Sequence, residues 1–108
     1  PHLSPMFRGI LSTIYLDLEK NISQSKVLNA LANFYKNEKF VKILKSDTLL
    51  STNDVINTND CHISVCKSKY TNKIIILSAI DNLIKGGSGQ AVQNMNVAFN
   101  INETMGLV

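Results

Sequence analysis

Tryptophan is absent from this 108-residue chain, and aromatic residues make up only 6% of it. Its 11 basic and 8 acidic side chains are scattered, so the sequence lacks both the basic patch and the stacking aromatics of a nucleic-acid-binding surface. No apolar run approaches the roughly 18 residues that a membrane-spanning helix requires. We therefore expect neither nucleic acid nor a membrane among the partners of this protein.

Cysteine is also scarce. Cys61 and Cys66 are too few for a disulfide framework or for a complete zinc-ligand set. If residues 61–68 form a strand, side chains five positions apart point to opposite faces, which excludes a bridge within the strand. We predict two reduced thiols, no metal site and, with no secretory signal at the N-terminus, a cytoplasmic location.

The chain does have a hydrophobic fraction of 44%, enough to form a core. Alternation of apolar and polar residues predicts a half-buried strand over 10–18. An apolar stripe with helical spacing predicts a helix over 25–36, capped by Ser23 or Ser25. Residues 40–44 are expected to form a short strand, and the polar residues 45–60 mostly a loop.

The second half of the chain contains a predicted hairpin, with strands over 61–68 and 73–80. Because the strand over 73–80 is apolar on both faces, it should lie centrally and be covered on both sides. A further helical stripe follows, formed by Ala91, Val92, Met95 and Phe99. The order β-α-β-β-β-α predicts an α+β fold with a mixed or antiparallel sheet and packing helices.

A glycine cluster, Gly86-Gly87-Ser88-Gly89, separates that strand from the helix. Its spacing matches neither the dinucleotide-binding glycine motif nor a P-loop. Glycines at a helix start allow close approach of either another backbone or a ligand. From the residues alone, close packing and ligand contact both remain open.

His2 and Arg8 flank prolines at the entrance of the first strand. Together they could line a pocket for a carboxylate or a phosphate, although a lone histidine is more often structural. The sequence contains no catalytic nucleophile in a known motif context. Taken alone, this segment is not expected to be an enzyme.

Four collinear stretches carry a resemblance to a known family. They are residues 1–15, 34–44, 55–63 and 81–107, and they include Pro1-His2-Leu3-Ser4-Pro5-Met6-Phe7-Arg8-Gly9 and Gly89-Gln90-Ala91-Val92-Gln93-Asn94. The chain resembles the C-terminal part of the N-acetyl-gamma-glutamyl-phosphate reductases, NADP-dependent enzymes of arginine biosynthesis. The last stretch alone would also suit an aspartate-semialdehyde dehydrogenase, whereas the first two favour the reductases.

The resemblance implies a chemistry whose main groups are not in this segment. In that family a cysteine attacks an acyl phosphate, a histidine assists proton transfer, and NADPH reduces the resulting thioester to the semialdehyde. The Pro-Gly-Cys and His-Arg-His-Thr-Pro-like motifs that carry these residues are missing here, as is the Rossmann motif. We therefore assign no catalytic residue to this chain and expect the isolated segment to be inactive.

The resemblance also implies an architecture. Residues 1–80 would be part of an incomplete catalytic and dimerisation domain of the glyceraldehyde-phosphate-dehydrogenase-like type. Residues 81–108 would form a C-terminal helix, over 82–99, and a tail packed on the dinucleotide-binding domain. Asn82 would then bind the nicotinamide carboxamide of NADP, while Gly86 and Gly87 border the ring.

The expected partners are accordingly the rest of a parent enzyme and further copies of it in a homo-oligomer. A rival hypothesis is a non-catalytic dimerisation or interaction module that kept the fold without the chemistry. A Rossmann motif and a Pro-Gly-Cys motif encoded upstream in the same reading frame would decide for the enzyme.

Overall fold

Four β-strands form a single mixed sheet in the computed structural model, which describes every residue from Pro1 to Val108. The strands are β1 (Ile10–Asp17), β2 (Val41–Ile43), β3 (Cys61–Lys67) and β4 (Lys73–Ile80). They lie in the order β1-β4-β3-β2. β4 is antiparallel to both of its neighbours, whereas the short edge strand β2 is parallel to β3. Together with two α-helices, this sheet confirms the predicted α+β class.

The first helix, α1 (Gln24–Tyr35), begins where the sequence predicts it. The hydroxyl of Ser23 accepts a hydrogen bond from the backbone N–H of Lys26, so Ser23 is the N-terminal cap. The segment predicted as a loop over 45–60 contains one short helical turn, Thr52–Asp54.

The second helix, α2 (Gly89–Ala98), is shorter than the predicted helix over 82–99. The residues before it, Ile84–Ser88, form a wide turn in which Ser88 N–H donates to the carbonyl of Leu83. Gly87 has a non-helical backbone there (φ −149°, ψ −110°), which separates the turn from the helix. Neither helix has both the length and the apolar character needed to cross a membrane.

The core of the chain is thin. Its buried apolar side chains are Phe40, Val55, Val65, Ile74 and Ala79. Two of them lie on β4, which is the central strand beside β3, as its two apolar faces predict. A large share of the apolar surface of the sheet is therefore left open.

Helix α1 packs across β2 and β3 on one face of the sheet. Towards β1 it leaves an open apolar groove of about 470 Å³. The groove is lined mainly by Leu16, Ile22, Val27, Leu31, Phe34 and Ile76. On the edge strand β1, Tyr15 is 71% exposed.

The opposite face of the sheet is partly covered by the segment that connects β2 to β3. The carbonyl of Thr48 approaches the thiol of Cys66. Further along, Leu50 and Thr52 lie beside Leu11 of β1. This connection crosses the sheet opposite α1, so β4 has protein on both sides, but only in part.

The uneven core generates a stability prediction. Ile74 is 3% exposed and Ile14 is 43% exposed, and both point to the α1 side of the sheet. Ile74→Val should lower the free energy of unfolding by about 1 kcal/mol, because it removes a buried methyl group. Ile14→Val, the same change on a half-open site, should cost less than about 0.5 kcal/mol. Chemical denaturation of both variants measures the difference, and equal losses would contradict this description of the core.

Candidate functional site

The candidate site lies where β1 begins and β4 ends. Ile10 and Ile80 are the last paired residues of the antiparallel ladder at this end. Beyond this pair the segment before β1 and the segment after β4 diverge, and hydrogen bonds that involve side chains replace the backbone ladder. Arg8 and Gly9 make these bonds in the segment before β1, and Asp81 and Asn82 make them in the segment after β4.

Asp81 is the centre of this arrangement, with a fully buried carboxylate. Its Oδ2 is 2.7 Å from Nη2 of Arg8 and accepts the N–H of Asn57 at 2.8 Å. Its Oδ1 accepts the N–H groups of Leu83 at 2.8 Å and Ile84 at 3.1 Å. Burial alone would raise the pKa of Asp81, but the bonds from Arg8 and the three backbone groups lower it to about 2. Asp81 is thus an ionised, fully bonded carboxylate.

Asn82 is held by Gly9, the residue that follows Arg8 in the segment before β1. Its Oδ1 accepts the N–H of Gly9 at 2.6 Å. Gly9 has a positive φ of +104°, and a Cβ there would lie 2.8 Å from Cβ of Thr52, so only glycine suits this position. With Oδ1 engaged, the amide nitrogen of Asn82 is the group left to bind a ligand.

The wide turn brings Gly86 and Gly87 to Asn82. A Cβ on Gly86 would lie 3.8 Å from Cβ of Asn82, and a Cβ on Gly87 would lie 3.3 Å from its carbonyl oxygen. Both glycines are exposed. The structure therefore brings the three residues that sequence analysis predicts to bind a cofactor onto one open surface.

Gly89 has a different role from its neighbours. It is buried, and a Cβ there would lie 2.6 Å from Cγ2 and 2.8 Å from the carbonyl oxygen of Ile84. The glycine cluster thus divides between the two alternatives left open by the sequence. Gly89 serves close packing, whereas Gly86 and Gly87 are exposed to solvent.

A polar network ties the wide turn to α2. Oε1 of Gln93 accepts hydrogen bonds from Nζ of Lys85 at 2.7 Å and from Nδ2 of Asn59 at 2.9 Å. Nε2 of Gln93 donates to Glu103 at 2.7 Å. Burial lowers the pKa of Lys85, although nearby acidic groups act in the opposite direction.

The inward face of α2 is accordingly polar. Gly89, Gln93 and Asn96 follow one another at helical spacing, and Asn96 is 1% exposed. The sequence predicts that the stripe of Ala91, Val92, Met95 and Phe99 packs on the dinucleotide-binding domain, which lies outside this chain. Within this chain that stripe is largely exposed, with Met95 at 47% and Phe99 at 71%. No helix or strand of this chain covers the apolar stripe of α2.

The two residues predicted to line a substrate pocket are not brought together. Nε2 of His2 lies 2.5 Å from the hydroxyl of Thr13, and His2 borders an open groove of about 430 Å³ that does not include Arg8. The guanidinium of Arg8 is paired with Asp81, and its Nε is buried without an acceptor. Within this chain His2 and Arg8 line no common groove, so their role in a substrate pocket stays a prediction.

The remaining candidate groups form no second site. The ring of His62 is nearly buried, has no hydrogen-bond partner and lies 3.9 Å from Asp60. Both cysteines are free and half-buried. No cluster of three or more metal-binding side chains occurs.

The sequence of this chain matches a known protein family. The family model for the semialdehyde dehydrogenase dimerisation domain matches residues 1–82. The chain belongs to this family. The match ends at Asn82, so it includes both residue pairs that close the sheet end.

Over almost its whole length the chain is also similar to curated N-acetyl-gamma-glutamyl-phosphate reductases. Identity is 53% over 107 residues with the protein of that name from Thermoanaerobacter pseudethanolicus. It is 47% with that from Halothermothrix orenii and 50% with that from Acinetobacter baumannii. In each case 99% of this chain is covered but only 30–31% of the relative, so the chain spans about a third of the relatives' length. It corresponds to their C-terminal portion, which confirms the resemblance.

Sequence analysis missed the role of Asp81. An aspartate directly after a buried strand and before a helical segment is a position that often accepts backbone N–H groups of the following turn. That signal was present in the sequence. The pairing with Arg8 was not, because nothing local relates two residues so far apart in the chain.

The division of the glycines can be tested by stability. Gly89→Ala should lower the free energy of unfolding by about 1–2 kcal/mol, because the overlap with Ile84 outweighs the better helix propensity of alanine. Gly86→Ala should change it by less than about 0.5 kcal/mol, since its nearest neighbour is an ordinary 3.4 Å contact. Thermal or urea unfolding compares the two variants. A destabilised Gly86→Ala variant would show that this glycine, too, is needed for packing.

Proposed function

We propose that this chain is the C-terminal segment of an NADP-dependent reductase that converts N-acetyl-glutamyl phosphate to N-acetylglutamate semialdehyde and phosphate in arginine biosynthesis. The observation that carries the proposal is the 47–53% identity over 107 residues with relatives of that name. An aspartate-semialdehyde dehydrogenase would share the fold, but the similarity extends through the Pro1–Gly9 segment as well as the glycine turn.

The cofactor site of this proposal consists of Asn82, Gly86 and Gly87. The amide nitrogen of Asn82 can donate a hydrogen bond to a carboxamide oxygen, because its Oδ1 is held by Gly9. Gly86 and Gly87 are exposed and carry no side chain, so a flat ring can approach their backbone. When bound, the nicotinamide would supply hydride. The residues present therefore fit such a group.

The groups that carry out the covalent chemistry are assigned to the part of the enzyme outside this segment. Cys61 and Cys66 lie on the sheet, where their thiols approach Ser78, Ser64 and the carbonyl of Thr48. Neither is placed beside an accessible histidine as a nucleophile would require. We therefore expect the isolated chain to consume no NADPH.

The open apolar surfaces support two kinds of partner. The exposed stripe of α2, with Met95 and Phe99, is suited to pack on the dinucleotide-binding domain, leaving the Asn82 end at the junction. The groove beside α1 and the edge strand β1 are suited to contacts within the catalytic domain and with a second copy. We propose a homo-oligomeric enzyme, located in the cytoplasm in keeping with two reduced cysteines.

The rival interaction module keeps one observation in its favour. The family is defined by dimerisation, and an apolar groove with only one polar lining residue, Lys26, suits a protein partner. That module would have no need of the open surface at Asn82, Gly86 and Gly87. Binding of NADPH by the full-length protein separates the two functions.

Asn82→Asp is the sharpest substitution for that test. A carboxylate in place of the amide can still accept the N–H of Gly9, but it cannot donate to a ligand and it adds a negative charge. In a full-length reductase that carries this segment, we expect the NADPH dissociation constant to rise about tenfold or more, with little change in melting temperature.

The matched control is Asn72→Asp, which adds the same charge in the exposed β3–β4 turn. It should leave NADPH affinity unchanged, and the isolated 108-residue chain serves as the blank. Equal NADPH affinity of the Asn82→Asp variant and the unsubstituted enzyme, by fluorescence titration, would show that Asn82 does not contact the cofactor.

A further inference from the structure

Two adjacent links hold the start of β1 to the end of β4. Arg8 pairs with Asp81 at 2.7 Å, and Gly9 donates to Asn82 at 2.6 Å. The two contacts come directly after Ile10–Ile80, the last backbone-paired residues of β1 and β4. The side chains of Asp81 and Asn82 therefore extend the pairing of these strands beyond the backbone ladder. Arg8 thus holds Asp81, and Gly9 holds its neighbour Asn82.

The carboxylate of Asp81 transmits this position to the wide turn. Its Oδ2 faces Arg8 and Asn57, while Oδ1 accepts the N–H groups of Leu83 and Ile84. A carboxylate is rigid and planar, so its two oxygens cannot shift independently. The orientation that Arg8 imposes on Oδ2 therefore also sets the orientation of Oδ1, and with it the start of the turn.

We propose that Arg8 and Asp81 are positioning residues that fix Asn82 and the glycine turn for cofactor binding. This inference rests on the proposed cofactor site. It changes the role of Arg8 from an anion ligand to a support, because its charge is compensated by a buried carboxylate of the same chain. Neither residue needs to touch the cofactor or the acyl phosphate.

The alternative role of Arg8 makes a different kinetic prediction. A guanidinium that binds the acyl phosphate or its carboxylate would affect KM for that substrate. A guanidinium that positions the turn affects NADPH affinity and leaves KM for the acyl phosphate unchanged. The two roles can therefore be separated in one enzyme.

The experiment uses the full-length reductase that carries this segment, with the variants Arg8→Gln, Arg8→Lys, Asn82→Ala and the double variant Arg8→Gln/Asn82→Ala. The control is Asp17→Asn, which removes the ion pair with Lys73 at the opposite end of the same two strands. For each variant we measure the NADPH dissociation constant, both KM values and the melting temperature without ligand. All titrations are made well below the lowest melting temperature.

We expect Arg8→Gln to weaken NADPH binding about tenfold with an unchanged KM for the acyl phosphate, and Arg8→Lys to recover part of the affinity because it keeps the charge. In the double variant, the loss of NADPH affinity should be smaller than the sum of the two single losses, since part of the effect of Arg8→Gln acts through Asn82. Asp17→Asn should leave NADPH affinity unchanged.

A raised KM for the acyl phosphate with normal NADPH affinity would overturn the positioning role and return Arg8 to the substrate. Fully additive losses in the double variant would also overturn it. Normal NADPH affinity of Asn82→Ala would overturn the cofactor site itself, and the positioning role with it. If Asn82→Ala weakens binding and Arg8→Gln does not, only the positioning role fails.

Discussion

A buried carboxylate accepts four hydrogen bonds at the end of the central strand. Asp81 joins the N-terminal segment through Arg8, the β2–β3 connection through Asn57 and the wide turn through Leu83 and Ile84. Burial of an ionised carboxylate is costly unless every acceptor site is used, and here the donors come from three separate segments. The pKa of about 2 means that the group stays charged, and this network stays intact, far below neutral pH. Stability from this group is present above the unfolded-state pKa of 3.8 and is lost only as the pH falls towards 2.

This constraint explains how an irregular segment can have a defined shape. The chain from Asp81 to Ser88 has no buried apolar side chain, and its one wide turn is interrupted by the non-helical backbone of Gly87. Its geometry comes from the carboxylate at one end and from the close contact between Gly89 and Ile84 at the other. Between these anchors the backbone is free of side chains at Gly86 and Gly87. A surface that is both fixed and unobstructed is what a flat ligand such as a nicotinamide requires.

Local patterns were sufficient to predict most of the regular structure. The alternation over 10–18 and the two apolar faces of 73–80 placed β1 and the central β4, and Ser23 marked the start of α1. Helix α2 begins at Gly89 and not at 82, because residues 84–88 form a wide turn held by backbone bonds to Asp81 and Leu83 as well as by the carboxylate of Asp81. The apolar stripe of α2 is exposed within this chain, so its packing on another part of the protein stays a prediction. Amphipathic spacing shows which residues need burial, but not which part of a protein will bury them.

Long-range pairing limited the prediction of the site. Asn82, Gly86 and Gly87 were selected by resemblance, and the structure brings them together, although their role in cofactor binding stays a prediction. Arg8 was expected in a pocket with His2, since the two are close in sequence. Its real partner lies at the far end of the chain, and no local pattern connects them. Single-sequence reasoning therefore selected candidate residues for the site, but it did not predict the contacts between them.

Amide hydrogen exchange tests the central claim most directly. Asn57, Leu83 and Ile84 lie outside the regular α-helices and strands, yet their N–H groups are bonded to a buried carboxylate. We predict that these three amides exchange much more slowly than that of the exposed Gly87, and that Asp81→Asn accelerates all three together. Rapid exchange of Leu83 and Ile84 in the unsubstituted protein would contradict the account, because the turn would then not be held by Asp81.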